Sequence, residues 1–249
     1  MNRISVALIA VLLFVIPLSA QRPSSDWTQW RGSNRDGAAA APSDAAAWPK
    51  QLTQKWKLEV GLGYATPLVV SNRIYQFARK GDREVMMAID ADSGKVLWET
   101  GHAAVFTPMS AAAPHGPGPK STPVFFNGRL YSIGMTGIVT AYDAASGKQL
   151  WQKPGSPTVP MYTTHSFSPI INGQNVIFHL GGHDEGAITA FDLNSGDVRW
   201  TWRGDGPGYG SPVVADFGGT RQIITITQGK LVGIDVAIGR EPGHARDEA

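Results

Sequence analysis

The 249-residue chain contains no cysteine. That excludes disulfides, thiolate metal ligands, a thiol nucleophile and lipid attachment to a cysteine behind a leader. Charge is scarce and nearly balanced: 17% of residues are charged, with 22 Lys and Arg against 20 Asp and Glu. No Lys/Arg run is long enough to track a phosphate backbone, so no nucleic-acid partner is expected. A Gly-x-Ser-x-Gly nucleophile elbow is also missing. Gly61-x-Gly63 and Gly206-x-Gly208 lack the third glycine and the following helix of a phosphate cradle. What the chain has in quantity is Gly (29), Pro (17) and 42% hydrophobic residues, the mixture of short strands joined by many turns.

Residues 1–20 read as a secretory signal peptide. Met1, Asn2 and Arg3 carry the positive end, Ile4 to Pro17 is almost wholly apolar, and Leu18-Ser19-Ala20 offers a cleavage site before Gln21. The apolar run of about 14 residues falls short of the roughly 20 needed to span a bilayer. A periplasmic or secreted protein follows, with no transmembrane segment after cleavage.

Internal repetition dominates the remainder. Residues 88–98 read Ala-Ile-Asp-Ala-Asp-Ser-Gly-Lys-Val-Leu-Trp. Residues 141–151 read Ala-Tyr-Asp-Ala-Ala-Ser-Gly-Lys-Gln-Leu-Trp, and residues 190–200 read Ala-Phe-Asp-Leu-Asn-Ser-Gly-Asp-Val-Arg-Trp. A weaker copy keeps Asp235 and Gly239. Upstream, in the same phase, Thr66-Pro67, Thr122-Pro123, Ser168-Pro169 and Ser211-Pro212 each precede an apolar run, a turn and a second apolar run. Each unit reads as four short antiparallel strands, one propeller blade. Blades are expected near 61–102, 116–154, 163–204 and 206–241, behind an arm over 21–52 that carries Trp27 and Trp30. The fold class is all-β, a partial propeller of about four four-stranded blades. Asp90, Asp143 and Asp192 should accept hydrogen bonds from the turns they open. Gly94, Gly147 and Gly196 should close those turns at positive φ, and Trp98, Trp151 and Trp200 should cover the neighbouring blade. Read as catalytic carboxylates, the same aspartates would require several active sites at once.

This Ala-x-Asp-x-x-Ser-Gly-x-x-x-Trp pattern resembles the tryptophan-docking repeat of propellers of the pyrroloquinoline-quinone (PQQ) type, over residues 53–241. The resemblance implies a fold whose members commonly have eight blades and include quinoprotein alcohol dehydrogenases and an outer-membrane assembly propeller. It does not imply an activity, because many relatives keep the repeat without the quinone. PQQ with Ca²⁺ enters by resemblance only. No segment matches the family's metal-ligand or catalytic-base loops, and its vicinal disulfide cannot form here.

The ends break the pattern. Gln54 to Val60 looks like the outer strand of a preceding blade, with Trp56 in the docking position, and no residues supply that blade's other strands. After Gly239 the repeat calls for a Trp, whereas residues 242–249 are polar. About half a ring is therefore expected, as a truncated or frameshifted gene would give; a four-bladed ring is the alternative. Such a chain should need further blades or self-association.

Ligands of propellers gather where loops enter the innermost strands. Gly61 to Pro67 matches Gly206 to Pro212 position for position, and Gly116 to Pro123 is one residue longer. These loops nominate Tyr64, Thr66, Lys120, Thr122, His165, Tyr209 and Ser211 for an unknown small molecule or protein, against the reading that repeated loops repeat structure alone. His179 and His183 are weak metal candidates, because the two intervening glycines suit a strand entering a turn better than a shared helix face. The expected function is a binding or scaffold module. The alternatives are a fragment of a PQQ-dependent dehydrogenase and an outer-membrane assembly propeller.

Overall fold

A computed structural model describes residues 26–39, 49–156 and 164–242. The expected leader and the last seven residues lie outside it. Among the described residues fifteen strands form four antiparallel sheets. The first holds β1 (Leu68–Val70), β2 (Arg73–Lys80), β3 (Arg83–Asp90) and β4 (Val96–Ala103). The second holds β5 (Val124–Phe126), β6 (Arg129–Ile133), β7 (Val139–Asp143) and β8 (Gln149–Lys153). The third holds β9 (Ile170–Asn172), β10 (Asn175–Gly181), β11 (Gly186–Asp192) and β12 (Val198–Gly204). The fourth has three strands, β13 (Val213–Phe217), β14 (Thr220–Ile226) and β15 (Leu231–Asp235). Every sheet is a meander in chain order, so each is one blade. Three of the blades are four-stranded as expected, and among the described residues the last has three strands.

The Asp-turn-Gly motif works as its chemistry requires. Asp90 Oδ1 accepts from the Ser93 amide (2.8 Å) and hydroxyl (2.6 Å), and Asp143 accepts from Ser146 at the same distances. Those bonds hold both carboxyls below the ordinary carboxylate range. Asp192 is lowered further, first by Arg199 and then by the Ser195 and Asn194 amides. The closing glycines Gly94, Gly147, Gly196 and Gly239 sit at φ +71, +74, +71 and +67. In each complete blade the ladder shifts register just before this turn, at Ala88/Ile89, Ala141/Tyr142 and Ala190/Phe191. Each such bulge re-aims the outer strand.

That strand carries the tryptophan to the next blade. Trp98 Nε1 donates to Ala144 O (3.2 Å), Trp151 Nε1 to Leu193 O (3.1 Å) and Trp200 Nε1 to Val236 O (3.2 Å). Each indole lies against the closing glycine of that blade. The Ala144 and Leu193 carbonyls also accept from the Tyr75 and Tyr131 hydroxyls, both at 3.2 Å. Apolar side chains fill the remaining space, Leu68, Phe77 and Met86 against Leu130 and Tyr142, then Ile133 and Val139 against Val176 and Phe191. Burying one face of a blade on its neighbour is what stabilises stacked repeats.

Trp56 follows the same rule from outside any sheet, donating to Ala91 O at 3.0 Å. Residues 54–60 nevertheless form no strand. Trp56, Leu58 and Val60 alternate onto Ala78, Val85, Met87 and Ile89, but among the described residues no backbone pairs with them as a ladder.

The arm over 26–39 crosses the innermost strands of all four blades. Trp27 pairs with Val69 through two backbone bonds, and Phe125 N donates to Thr28 O at 2.8 Å. Arg35 then ties the other two blades: Nε and Nη2 donate to Pro212 O (3.1 and 2.9 Å), Nη1 to Pro169 O (3.0 Å) and Nη2 to Ser168 O (3.3 Å). Burial lowers the Arg35 pKa to about 10, so it stays cationic at neutral pH. Its guanidinium also lies over Trp30, 5.3 Å from the ring centroid. Trp30 is thus used in packing, and a cleft of about 350 Å³ remains between the arm, β9 and β13. Arg35→Ala is expected to leave three inner-strand carbonyls without their donor. It should cost about 2–4 kcal/mol and open the arm to proteolysis, read by melting temperature and limited digestion.

Candidate functional site at the channel mouth

The loops entering the inner strands meet at one end of the blade stack, as equivalent positions of a repeat must. Tyr64 N donates to Pro119 O at 2.7 Å, joining the loops of the first two blades, and Ser166 Oγ donates to Tyr209 O at 3.1 Å, joining those of the last two. The approach is close enough that a Cβ on Gly118 would overlap the Leu62 carbonyl.

Within this rim the candidate residues divide into two layers. The Thr/Ser-Pro hydroxyls form an inner relay. Thr66 N donates to Thr122 Oγ1 (3.0 Å), Thr122 N to Ser168 Oγ (3.1 Å) and Ser168 N to Ser211 Oγ (3.1 Å). Each hydroxyl accepts from the matching amide of the preceding blade, which explains why the repeat places a hydroxyl there. Thr122 is buried, and its hydroxyl is committed to this relay.

Tyr64, Lys120, Tyr209 and His183 form the outer layer. The Lys120 ammonium stands 4.4 Å from the Tyr64 ring centroid and donates to the His115 and Gly116 carbonyls. Those carbonyls close a 3-10 helix over Ser110–His115, an element the sequence pattern did not suggest. Partial burial lowers the Lys120 pKa. Tyr209 OH is 3.1 Å from His183 Nε2, with the rings edge to face. Tyr64 and Tyr209 are both exposed.

Beneath the rim lie two fully buried histidines. His165 Nδ1 is 3.4 Å from Met135 O, and His179 Nε2 is 3.0 Å from Asp205 O. Burial lowers each pKa to about 4. His165 is thus placed below the surface, at a blade-to-blade contact. His179 and His183 face different partners, and among the described residues no three of His, Cys, Asp and Glu come together as a metal site.

Three polar residues of this end gave no signal in the sequence. Glu84 is wholly buried; its Oε1 accepts from the Met135 amide at 2.7 Å and its Oε2 lies 3.5 Å from His102 Nε2. Arg79 donates to Ala104 O at 2.6 Å. Asp205 accepts from Thr227 Oγ1 at 2.9 Å, which lowers its pKa. All three fall outside the repeated motif, and only tertiary contacts bury or pair them.

A family model described as "Outer membrane protein assembly factor BamB" matches residues 81–246. Methanol dehydrogenase [cytochrome c] subunit 1 of Methylorubrum extorquens is 24% identical over 68% of this chain and 28% of its own length. The dehydrogenase subunit of alcohol dehydrogenase (quinone) of Komagataeibacter europaeus is 30% identical over 54% of this chain and 19% of its own. This chain therefore spans less than a third of either curated relative. The solved quinohemoprotein alcohol dehydrogenase ADHIIG of Pseudomonas putida superposes with TM-score 0.57 and 17% identity, over 89% of this chain and 40% of that one. The Comamonas testosteroni quinohemoprotein alcohol dehydrogenase gives 0.54 and 17%, over 87% and 48%. At that identity the likeness is one of fold, a β-propeller.

Proposed function

We propose, because this chain belongs to the PQQ-repeat propeller family whose model is described as outer membrane protein assembly factor BamB, that it is an exported binding or scaffold module. Its partner is engaged at the channel mouth by the outer layer, the exposed Tyr64 and Tyr209 with the half-buried Lys120 and His183. The observation that carries this reading is the pairing of exposed aromatic rings with cationic or imidazole groups on interlocked loops. Lys120 packs on one face of the Tyr64 ring and His183 meets Tyr209 edge to face, so rings fixed by these contacts offer their remaining apolar surface at little entropic cost, as recognition surfaces do. No helix among the described residues is long and apolar enough to cross a membrane.

The second reading is a quinone-dependent dehydrogenase, favoured by the names of the curated relatives. The described residues do not fit it. Quinone oxidation of an alcohol needs a metal to polarise the quinone carbonyl and a base for the alcohol proton. Among the described residues no three metal-capable side chains converge, and Arg35 is engaged by backbone carbonyls.

Adding PQQ and Ca²⁺ to the purified chain should leave no quinone absorbance after desalting and no dye-linked alcohol oxidation. In producing cells, a photo-cross-linking residue at position 64 or 209 should give a discrete adduct, and one at Lys95 on the outer rim should not. Retained quinone with turnover would replace the scaffold reading by the enzymatic one; adducts at all three positions would remove the mouth as the site.

A further inference from the structure

The arm's second arginine sits among acceptors that the blades themselves provide. Ser168, Pro169 and Pro212 lead into the inner strands of the third and fourth blades, and their carbonyls take four of the five N–H groups of Arg35. Gln29 Oε1 takes the fifth at 3.0 Å. We propose that residues 26–39 are a displaceable strap over a guanidinium-binding site, and that an arginine presented by a partner protein takes this site when the arm leaves.

The carbonyls hold their places without the arm. Proline fixes φ at 169 and 212. The hydroxyl relay ties both segments to their neighbours, Thr122 N to Ser168 Oγ and Ser168 N to Ser211 Oγ, each at 3.1 Å. Acceptors reached by all three nitrogens of Arg35 match the planar fork of a guanidinium. An ammonium carries its three donors on one nitrogen and would leave part of the set unmet. The site therefore selects arginine over lysine.

The arm is attached as an element that can leave. None of its residues belongs to the four apolar clusters of the core. Besides Arg35, hydrogen bonds near its first residues tie it to the blades: Trp27 with Val69, Thr28 O with Phe125 N and Asp26 Oδ1 with Ser71 N. Other bonds run within the arm, from Gln29 Nε2 to Ser33 O, Arg31 Nη2 to Asp36 O and Gly37 N to Arg31 O. Arg31 and Arg35 stand at φ +59 and +60, left-handed backbone that disfavours residues other than glycine. A segment held by exposed hydrogen bonds and carrying such strain opens before the core does. An arginine delivered on an unstrained loop meets the same carbonyls without that cost. Its way in is the cleft of about 350 Å³ beside Arg35, walled by Ile170, Val213 and Arg221. The arm's own Trp30, 5.3 Å from the Arg35 guanidinium carbon, gives the partner's second requirement, an aromatic side chain close to its arginine. The site lies on the inner strands, apart from Tyr64 and Tyr209, and does not depend on a partner at the mouth.

Arg35→Ala frees the carbonyls in the full chain. Ethylguanidinium, below denaturing concentration, should raise the melting temperature of this variant saturably and leave the parent's unchanged; ethylammonium should raise neither. A fluorescent peptide with the sequence of residues 26–37, standing in for the partner's loop, should bind the variant at least about 10-fold more tightly than the parent, whose own arm competes. The same peptide carrying the Arg35→Ala change should not bind. In the parent, excess peptide should speed amide exchange at Gly32, Arg35 and Gly37, whose bonds lie within the arm. If Arg35→Ala does not fold, Arg35→Lys keeps the cation and should show the same preference for the peptide over the parent. A folded variant indifferent to ethylguanidinium overturns the site. A peptide that binds parent and variant equally, or binds without its arginine, overturns the strap. A parent chain that doubles its mass by exchanging arms gives the site to a second copy and overturns the choice of partner.

Discussion

Gly147→Ala is expected to destabilise the chain by about 3–5 kcal/mol, far more than an alanine for a glycine in a surface turn ordinarily does. Gly147 has φ +74, where an L side chain costs about 1–2 kcal/mol. The larger part comes from the preceding blade's tryptophan: a Cβ there would lie 2.5 Å from Trp98 Cε3 and 2.6 Å from Cδ2. Trp98 would have to leave Ala144 O and its contact with Tyr75, parting the first two blades. A double-mutant cycle separates the two costs. In a Trp98→Ala background, Gly147→Ala should cost only the backbone term, because the indole it strikes is gone. Gly128 is the control, with φ +73 and nothing within 4 Å of a built Cβ, so its alanine variant should also show the backbone term alone. Urea unfolding of the parent and these variants reads all of this. Equal losses at Gly128 and Gly147 would mean that the tryptophan contact does not hold the blades together.

Acid should weaken the fold well above the carboxylate range. His165 and His179 have pKa values lowered to about 4 by burial, against about 6.5 in an unfolded chain. Between those limits the unfolded state binds more protons, so stability is complete above pH 6.5 and falls as pH drops toward 4. Each histidine contributes up to about 3 kcal/mol over that window. Together they rival the net stability of an ordinary domain. The groups facing them do not reverse the sign: His179 itself disfavours a charge on His165, and Asp205 only partly offsets the burial of His179. Asp90, Asp143 and Asp192 act in a lower window, because their pKa values are depressed below 3.8 and their contribution is lost only as pH falls below it. The denaturation midpoint should therefore decline steadily from pH 7 to pH 4.5, and His165→Gln or His179→Gln should flatten the decline. A profile flat over that range in the parent chain would show the imidazoles to be solvated.

The blade motif was readable without a structure because its physics is local. An Asp accepting amides two and three residues ahead, a Gly at positive φ and a Trp four residues beyond are short-range requirements, repeated at Asp90, Asp143, Asp192 and, without the Trp, Asp235. The same locality pointed to the loops at the mouth, since Gly61 to Pro67 and Gly206 to Pro212 match in sequence. Sequence could not separate the two layers of that site. Thr122 and Tyr64 stand in equally repeated loops, yet one hydroxyl is consumed by a neighbouring amide and one ring is left open to solvent. Distance along the chain explains the rest. Arg35 ends on carbonyls 133 to 177 residues away, and Glu84 on an amide 51 residues away in another blade. No periodicity records such contacts, because they arise only once the blades are stacked.

The channel mouth, expected from the repeats as one ring of candidates, is thus a structural relay beneath a thin exposed layer. From sequence alone come the propeller and its blade phase, set by turn chemistry and alternation within about 50 residues. Tertiary structure alone decided which rim residues stay exposed and how the arm stitches the inner strands. These depend on burial and on pairing between blades, which no single repeat contains.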